Sequence, residues 1–132
     1  MSRQIFNALI RTHHITSRKK IQRLKKAASQ HDVVFVLIRS GGSPGMMYVE
    51  SNSEASVTKW VSDVQALRYK DYHCVSKPSI AEIMDTVTSP GFKEVVSVAA
   101  FAEEMKLRGL TAWWRKAMNY GIVEYSNESN KT

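Results

Sequence analysis

The fold is decided by one stretch of the chain, VVFVLIRSGGSPGMMYV (residues 33–49). Residues 33–38 are continuously apolar and mostly β-branched, which predicts a strand that is central or buried on both faces. Residues 41–45, Gly-Gly-Ser-Pro-Gly, form a turn signal rather than a phosphate loop, because Pro44 lacks an amide donor and no Lys-Ser/Thr pair follows. Residues 46–49 then continue as a second strand, which we expect to run antiparallel to the first.

The segments on either side of this stretch predict two helices and two further strands. A strand is expected within residues 6–15, followed by a helix that begins at the N-cap Ser17 and ends near residue 30. A second helix is expected to start at Ser53 and Glu54, and a fourth strand to cover residues 69–75 and close at Lys77-Pro78. This βαββαβ order predicts an α+β fold of ferredoxin-like type, in which two helices cross one face of an antiparallel sheet.

The remaining residues predict a C-terminal helical appendix. A helix is expected to begin at Ser79, with Glu82 at capping-box spacing, and to end at residues 89–91. A short strand over residues 92–96 and a helix between Ser97 and Gly109 follow, and Thr111 is expected to cap a last helix. We therefore predict one domain over residues 1–125, with a core at 4–78, an appendix at 79–125 that docks on the core, and a polar tail at 126–132.

Composition narrows the class of protein. The chain has 132 residues, 43% of them apolar, which is typical of a single globular domain and too apolar for a disordered tail. Its longest apolar run is six residues, far short of the roughly 18 that span a bilayer, so no membrane partner is expected. The one cysteine, Cys74, cannot form an internal disulfide and fits a reducing compartment. A nuclear or cytoplasmic location is expected, with a mitochondrial one as the alternative because residues 1–31 contain no acid.

Positive charge is concentrated in the first third of the chain. The formal net charge is +7, and residues 1–39 contain nine basic residues and one acid. On a helical wheel Lys19, Arg23 and Lys26 lie opposite the apolar stripe of the first helix, with Arg18, Lys20 and Lys25 on its flanks. The predicted helix has no acidic residue to offset this charge. The pattern favours a polyanionic partner such as RNA over an ordinary solvated helix face.

Catalytic patterns are not found. The sequence has no zinc-ligand spacing, P-loop, dinucleotide fingerprint or nucleophile elbow. His13 and His14 are adjacent, so on a strand they would point to opposite faces and would not share one metal or proton. The same reasoning applies to His73 and Cys74 as a nucleophile–base pair. We therefore predict a protein that is not an enzyme and that needs no metal or cofactor.

Several short motifs resemble one known domain family. It is the domain found at the C-terminus of RWD-domain-containing proteins and of a pre-mRNA-processing factor of the spliceosomal tri-small-nuclear-ribonucleoprotein. The likeness covers nearly the whole chain and lies in His13-His14-Ile15, residues 17–21, the Ser43-Pro44-Gly45 turn, residues 47–50, Trp60, residues 67–69 and the late segment from Phe92 to Ile122. The resemblance implies a ferredoxin-like fold.

In the splicing-factor branch, the resemblance also implies binding to a single-stranded RNA stretch beside a duplex, in a nuclear ribonucleoprotein with protein partners. By position this points to His13, His14, Arg18, Lys19 and Lys20, and the helical wheel adds Arg23 and Lys26. The alternative is a protein–protein interaction module of the RWD-associated type with no nucleic-acid role. This alternative is based on a set of large apolar residues that a partner would cover, namely Met46, Met47, Trp113, Trp114 and Tyr120.

Overall fold

The computed structural model describes residues 4–81 and 90–120. In chain order its elements are β1 (Phe6–Thr12), α1 (Arg18–Gln30), β2 (Phe35–Arg39), β3 (Gly45–Ser51), α2 (Glu54–Ala66), β4 (His73–Ile80), β5 (Gly91–Val95), α3 (Val98–Leu107) and α4 (Thr111–Met118). The α+β class predicted from the sequence is confirmed. The helix predicted to start at Ser17 and the one predicted to start at Ser53 and Glu54 are both present, with each serine as the N-cap.

The strands of the described residues form a five-stranded sheet in the order β4-β1-β3-β2-β5. Strand β3 pairs antiparallel with both β1 and β2, and β1 pairs antiparallel with β4. Strand β5 pairs parallel with β2, so that Phe35 lies opposite Gly91 and Arg39 lies opposite Val95. The two strands predicted from residues 33–49 therefore lie side by side and antiparallel inside the sheet, as expected.

Alternation along the inner strands gives the sheet two apolar faces. Residues at even positions of β2, such as Val36 and Ile38, point to one face, and Phe35 and Leu37 point to the other. All four are at most 4% exposed. The continuous apolar run of residues 33–38 is therefore explained by burial on both faces.

Each face is covered by its own pair of helices. Ile21 and Leu24 of α1 and Trp60 and Val64 of α2 pack in the first core, on the face of Val36. The second core holds Leu9, Phe35, Leu37, Met46 and Tyr48 of the sheet with Phe101, Met105, Leu110, Trp114 and Met118 of the α3–α4 region. The prediction that α1 and α2 lie on one face of the sheet holds, and the α3–α4 part of the predicted appendix packs on the opposite face.

The fourth strand was predicted too early in the chain. The sequence predicted residues 69–75, but β4 runs from His73 to Ile80. Arg68 and Asp71 have positive φ angles of 61° and 57°, so the chain turns where the strand was expected to begin. Pro78, expected to close the strand, lies inside it, because β4 is an edge strand that does not need every backbone N–H for pairing.

The start of the predicted appendix is also wrong. Ser79 and Ile80 were expected to begin a helix. They instead belong to β4, where they lie opposite Asn7 and Phe6 of β1. Residues 82–89, the rest of that predicted helix, and the tail at 126–132 lie outside the described residues. The helix predicted to begin at Ser97 is confirmed as α3. The Ser97 side chain caps it by accepting a hydrogen bond from the Ala100 backbone N–H at 3.0 Å.

Two element ends differ by a residue or more from the prediction. Thr111 is the first residue of α4 rather than its cap, and the N-cap is Leu110, which makes no side-chain capping bond. Strand β1 ends at Thr12 instead of Ile15, so the histidines that follow it are outside the sheet. Within residues 4–81 and 90–120, no helix is long and apolar enough to cross a membrane.

Candidate nucleic-acid interface

Helix α1 is fixed on the sheet by its cap and its apolar stripe. The Ser17 hydroxyl accepts a hydrogen bond from the Lys20 backbone N–H at 3.2 Å, which satisfies one of the free donors of the first turn. Ile21 and Leu24 are fully buried against the sheet. The indole Nε1–H of Trp60 donates to the Leu24 carbonyl at 3.1 Å, tying α1 to α2. These contacts set which side of α1 faces solvent.

The outward side of α1 is a cationic face, defined here as Lys19, Arg23 and Lys26. All three side chains are exposed, as the helical wheel predicts. None of them forms an ion pair or hydrogen bond with any group in the part of the chain that the structure describes. The helix itself has no acidic residue. Among the described residues, the cationic face therefore presents three positive charges that no ion pair neutralises.

Arg18, one of the predicted RNA-binding residues, is engaged within the protein. Its two terminal nitrogens donate to the two carboxylate oxygens of Glu94 at 2.8 and 2.9 Å, a bidentate pair between α1 and β5. The Ser40 hydroxyl donates to the same carboxylate at 2.5 Å. The Arg18 hydrogen bonds, and then that of Ser40, lower the pKa of Glu94 to about 2. Arg18 therefore anchors the start of α1 as well as contributing charge.

The two lysines on the flanks of the cationic face lie over aromatic rings. The ammonium of Lys20 is 4.8 Å from the centre of the Tyr69 ring, and that of Lys25 is 5.5 Å from the centre of the Phe92 ring. Such cation–π contacts hold the side chains without neutralising their charge. The flanks of the cationic face are thus positively charged and partly ordered.

His13 and His14 lie in the segment that joins β1 to α1. Their ring centres are 4.7 Å apart, with the planes inclined by 50°. The prediction that the two rings point to opposite faces of a strand is wrong, because β1 ends at Thr12. The loop is tied down by a hydrogen bond from the His13 backbone N–H to the Lys70 carbonyl at 2.9 Å. His13 Nδ1 is 3.5 Å from a carboxylate oxygen of Asp71, and His14 is exposed.

A groove separates the outward sides of α1 and α2. Its volume is about 320 Å³. It is lined by Arg23, Leu24, Lys26, Ala27, Gln30, Asp63 and Leu67. His31 Nε2 lies 2.8 Å from one carboxylate oxygen of Asp63, so this pair bridges the two helices beside the groove. Sequence reasoning missed the groove, because no spacing rule relates Gln30 to Asp63 across two helices.

The Cys74 side chain does not have the environment of an activated nucleophile. The Cys74 thiol donates to the Ser76 carbonyl at 3.4 Å, and burial raises its pKa. A raised thiol pKa reduces the thiolate fraction that a nucleophile requires. Within residues 4–81 and 90–120, no group of three His, Cys, Asp or Glu side chains is placed to hold a metal ion.

The apolar residues that motivated a protein-interaction role are largely internal. Met46 and Met47 are fully buried, on opposite faces of the sheet. Trp114 is 3% exposed, and Trp113 packs its ring edge-on against Tyr48 with centres 5.8 Å apart. Met47 therefore belongs to the first core, and Met46, Trp113, Trp114 and Tyr120 belong to the second core or pack against it.

Comparisons with known proteins add little to this geometry. No protein-family model matches the chain, and no curated protein matches it. Among solved structures, a bacterial light-regulated adenylyl cyclase is similar with a TM-score of 0.46 and 15% sequence identity, over 92% of this chain and 39% of that one. This chain thus spans well under half the length of the cyclase chain. A similarity of this degree assigns no activity or ligand here.

Proposed function

We propose that this chain is a small, non-catalytic RNA-binding domain of ferredoxin-like architecture that contacts RNA through the cationic face. The observation that carries the proposal is a set of three exposed cations on a helix without acidic residues, namely Lys19, Arg23 and Lys26, which have no ion-pair partner within residues 4–81 and 90–120. Phosphate groups bind such surfaces with release of counterions, which supplies sequence-independent affinity.

The three side chains of the cationic face repel one another, yet other contacts keep α1 helical. Lys19 and Arg23 are four residues apart, and Arg23 and Lys26 are three apart, so each pair costs a few tenths of a kcal/mol on an isolated helix. The burial of Ile21 and Leu24 and the Ser17 cap keep the helix formed regardless. A phosphate backbone lying along α1 relieves this repulsion, whereas a neutral partner does not.

Groups beside the cationic face extend the proposed contact. Lys20 and Lys25 add charge on its two flanks, and His14 is exposed just before the start of the helix. An imidazole ring in this position is suited to stack on an unpaired base or to hydrogen-bond it. The family resemblance suggests the setting, a ribonucleoprotein in which a single-stranded stretch continues from a duplex. Arg18 has the lesser role, because Glu94 already holds its guanidinium.

A charge-reversal experiment tests this function. The variant Lys19→Glu/Arg23→Glu/Lys26→Glu is compared with Lys77→Glu/Lys106→Glu/Lys116→Glu, in which exposed lysines of β4, α3 and α4 undergo the same change in charge. Binding to a fluorescent single-stranded RNA is measured by anisotropy, and circular dichroism checks the fold. We expect the first variant to lose binding at least a hundredfold and the control to lose much less.

Two results would contradict the proposal. One is a wild-type protein that binds no RNA, single-stranded or with a duplex beside it, in a salt-sensitive manner. The other is an equal loss of affinity in the two variants, because that would assign binding to net charge rather than to the cationic face.

A further inference from the structure

We propose that the groove between α1 and α2 receives one unstacked base of the bound strand, and that Asp63 makes this position selective for guanine. The inference rests on the RNA-binding function proposed above and names what the same surface recognises. It starts from three properties of the groove: its size, its position beside the cationic face, and a carboxylate among its cations.

The groove has the size and lining of a site for one ring system. Its volume of about 320 Å³ is at the lower end of the range for small-ligand sites. Leu67, which is partly buried, and the small exposed part of Ala27 supply apolar surface, on which the flat face of a base can rest. Gln30 and Asp63 supply polar atoms at the rim, where the edge of a base would be exposed. The combination matches a heteroaromatic ring better than a phosphate alone.

Two residues belong both to the groove and to the cationic face. Arg23 and Lys26 line the groove, and with Lys19 they form the outward side of α1. A strand whose phosphates follow α1 therefore passes the mouth of the groove. A nucleotide held there by Arg23 and Lys26 has its base within reach of Leu67. Recognition of splayed-out bases is the common mode of sequence-specific RNA binding.

The carboxylate of Asp63 is what gives the site a base preference. A carboxylate only accepts hydrogen bonds, so in this place it repels phosphate and attracts N–H groups. Guanine has two adjacent donors on its Watson–Crick edge, N1–H and N2–H₂, which one carboxylate can accept together. The other bases do not offer two adjacent donor groups on that edge. His31 Nε2 at 2.8 Å fixes the orientation of the carboxylate and leaves lone pairs free on both of its oxygens.

The experiment uses the full chain and four RNAs. Each is an oligouridine of about twelve nucleotides, within the usual site size of a single-strand-binding domain, with guanosine, adenosine, cytidine or uridine at its centre. Affinities are measured for the wild-type protein, for Asp63→Asn, and for Glu103→Gln, which removes one exposed carboxylate from α3 on the other face of the sheet.

We expect the wild-type protein to bind the guanosine oligomer about tenfold more tightly than the others, as for one good bidentate contact to a base. Asp63→Asn should reduce this preference to about twofold or less. Its affinity for the other three oligomers should stay the same or rise, because a negative charge is removed. Glu103→Gln should keep the full preference.

The failures of the two proposals are distinguishable. Equal binding of all four RNAs by the wild-type protein overturns the base site while leaving the cationic face as an RNA-binding surface. A guanosine preference that survives in a folded Asp63→Asn protein overturns the role of Asp63. Absence of binding to every oligomer overturns the proposed function, and the base site with it.

Discussion

Arg108, at the end of α3, donates a hydrogen bond to Glu50 of β3 across 2.9 Å, with only 8% and 1% of the two side chains exposed. The guanidinium carbon also lies 3.8 Å from the centre of the Phe35 ring. Tyr48 donates to the other oxygen of Glu50 at 2.6 Å, and burial, followed by the nearby Glu50, raises the pKa of that tyrosine well above its usual value. This buried network joins the appendix to the central strand.

Removing one partner of this pair should destabilise the protein strongly. Arg108→Ala leaves the Glu50 carboxylate buried without its counter-charge, and we expect a loss of about 3–5 kcal/mol in the free energy of unfolding. The double replacement Arg108→Met/Glu50→Leu should lose far less, because neither charge remains buried. Urea denaturation of both variants tests this, and equal losses would show that the charge imbalance is not the cause.

The pair between Arg18 and Glu94 predicts a dependence of stability on acid. The folded-state pKa of Glu94 is about 2, against an ordinary value near 4.5, so the stabilising contribution is complete above about pH 4.5 and is lost as the pH falls toward 2. Glu94→Gln should therefore reduce stability at pH 7 and flatten the decline between these two pH values. We expect the loss of unfolding free energy to be modest, because Arg18 is largely exposed and solvent screens its pair with Glu94.

Unfolding free energies measured across that pH range for Glu94→Gln should be compared with those of Glu103→Gln. Glu103 is exposed on α3. A control that flattens the curve as much as Glu94→Gln does would remove the assignment to the Arg18 pair.

Salt should weaken RNA binding in proportion to the number of cations in contact with phosphate. For single-stranded RNA, three contacts from Lys19, Arg23 and Lys26 predict a slope of about −2 in a plot of log affinity against log salt concentration. A single replacement such as Arg23→Gln should reduce the slope by roughly 0.7. Titrations at several salt concentrations give the slope directly, and an unchanged slope in Arg23→Gln would place the phosphates elsewhere.

Gly45 should tolerate no side chain. A Cβ atom built there lies 2.8 Å from Ile15 Cγ1 and also collides with the hydroxyl of Thr12. We expect Gly45→Ala to cost about 1–3 kcal/mol in unfolding free energy and to displace the loop that carries the two histidines. Gly42→Ala is the matched control, since its added Cβ meets only the guanidinium end of Arg39, at 3.3 Å, and its effect should be well below that of Gly45→Ala.

Much of the fold follows from local patterns in the sequence. The apolar run at residues 33–38 marks a strand covered on both faces, and Ser17, Ser53 and Ser97 each begin a helix because a serine hydroxyl satisfies an N–H of the first turn. Strand β4 was misplaced because periodicity does not reveal the left-handed turn at Arg68 and Asp71, and because Pro78 is permitted only by the edge position.

The cationic face could be derived from the sequence, but its surroundings could not. A helical wheel places Lys19, Arg23 and Lys26 together, because all three belong to one helix. The partner of Arg18 is Glu94, 76 positions later, and only the sheet brings the two together. Asp63 and Gln30 likewise meet across a groove between helices, and the closeness of the His13 and His14 rings depends on where β1 ends.

The parallel pairing of β5 with β2 also bears on how the domain folds. It joins Phe35 to Gly91 across more than fifty intervening residues, so forming it requires the closure of a long loop. Contacts so distant in sequence form slowly and are expected late in folding. Glu94 reaches Arg18 only after that step, so the start of α1 gains this restraint when β5 pairs with β2. A chain arrested before β5 pairs would carry the positive charges of α1 without the anchor that orients them.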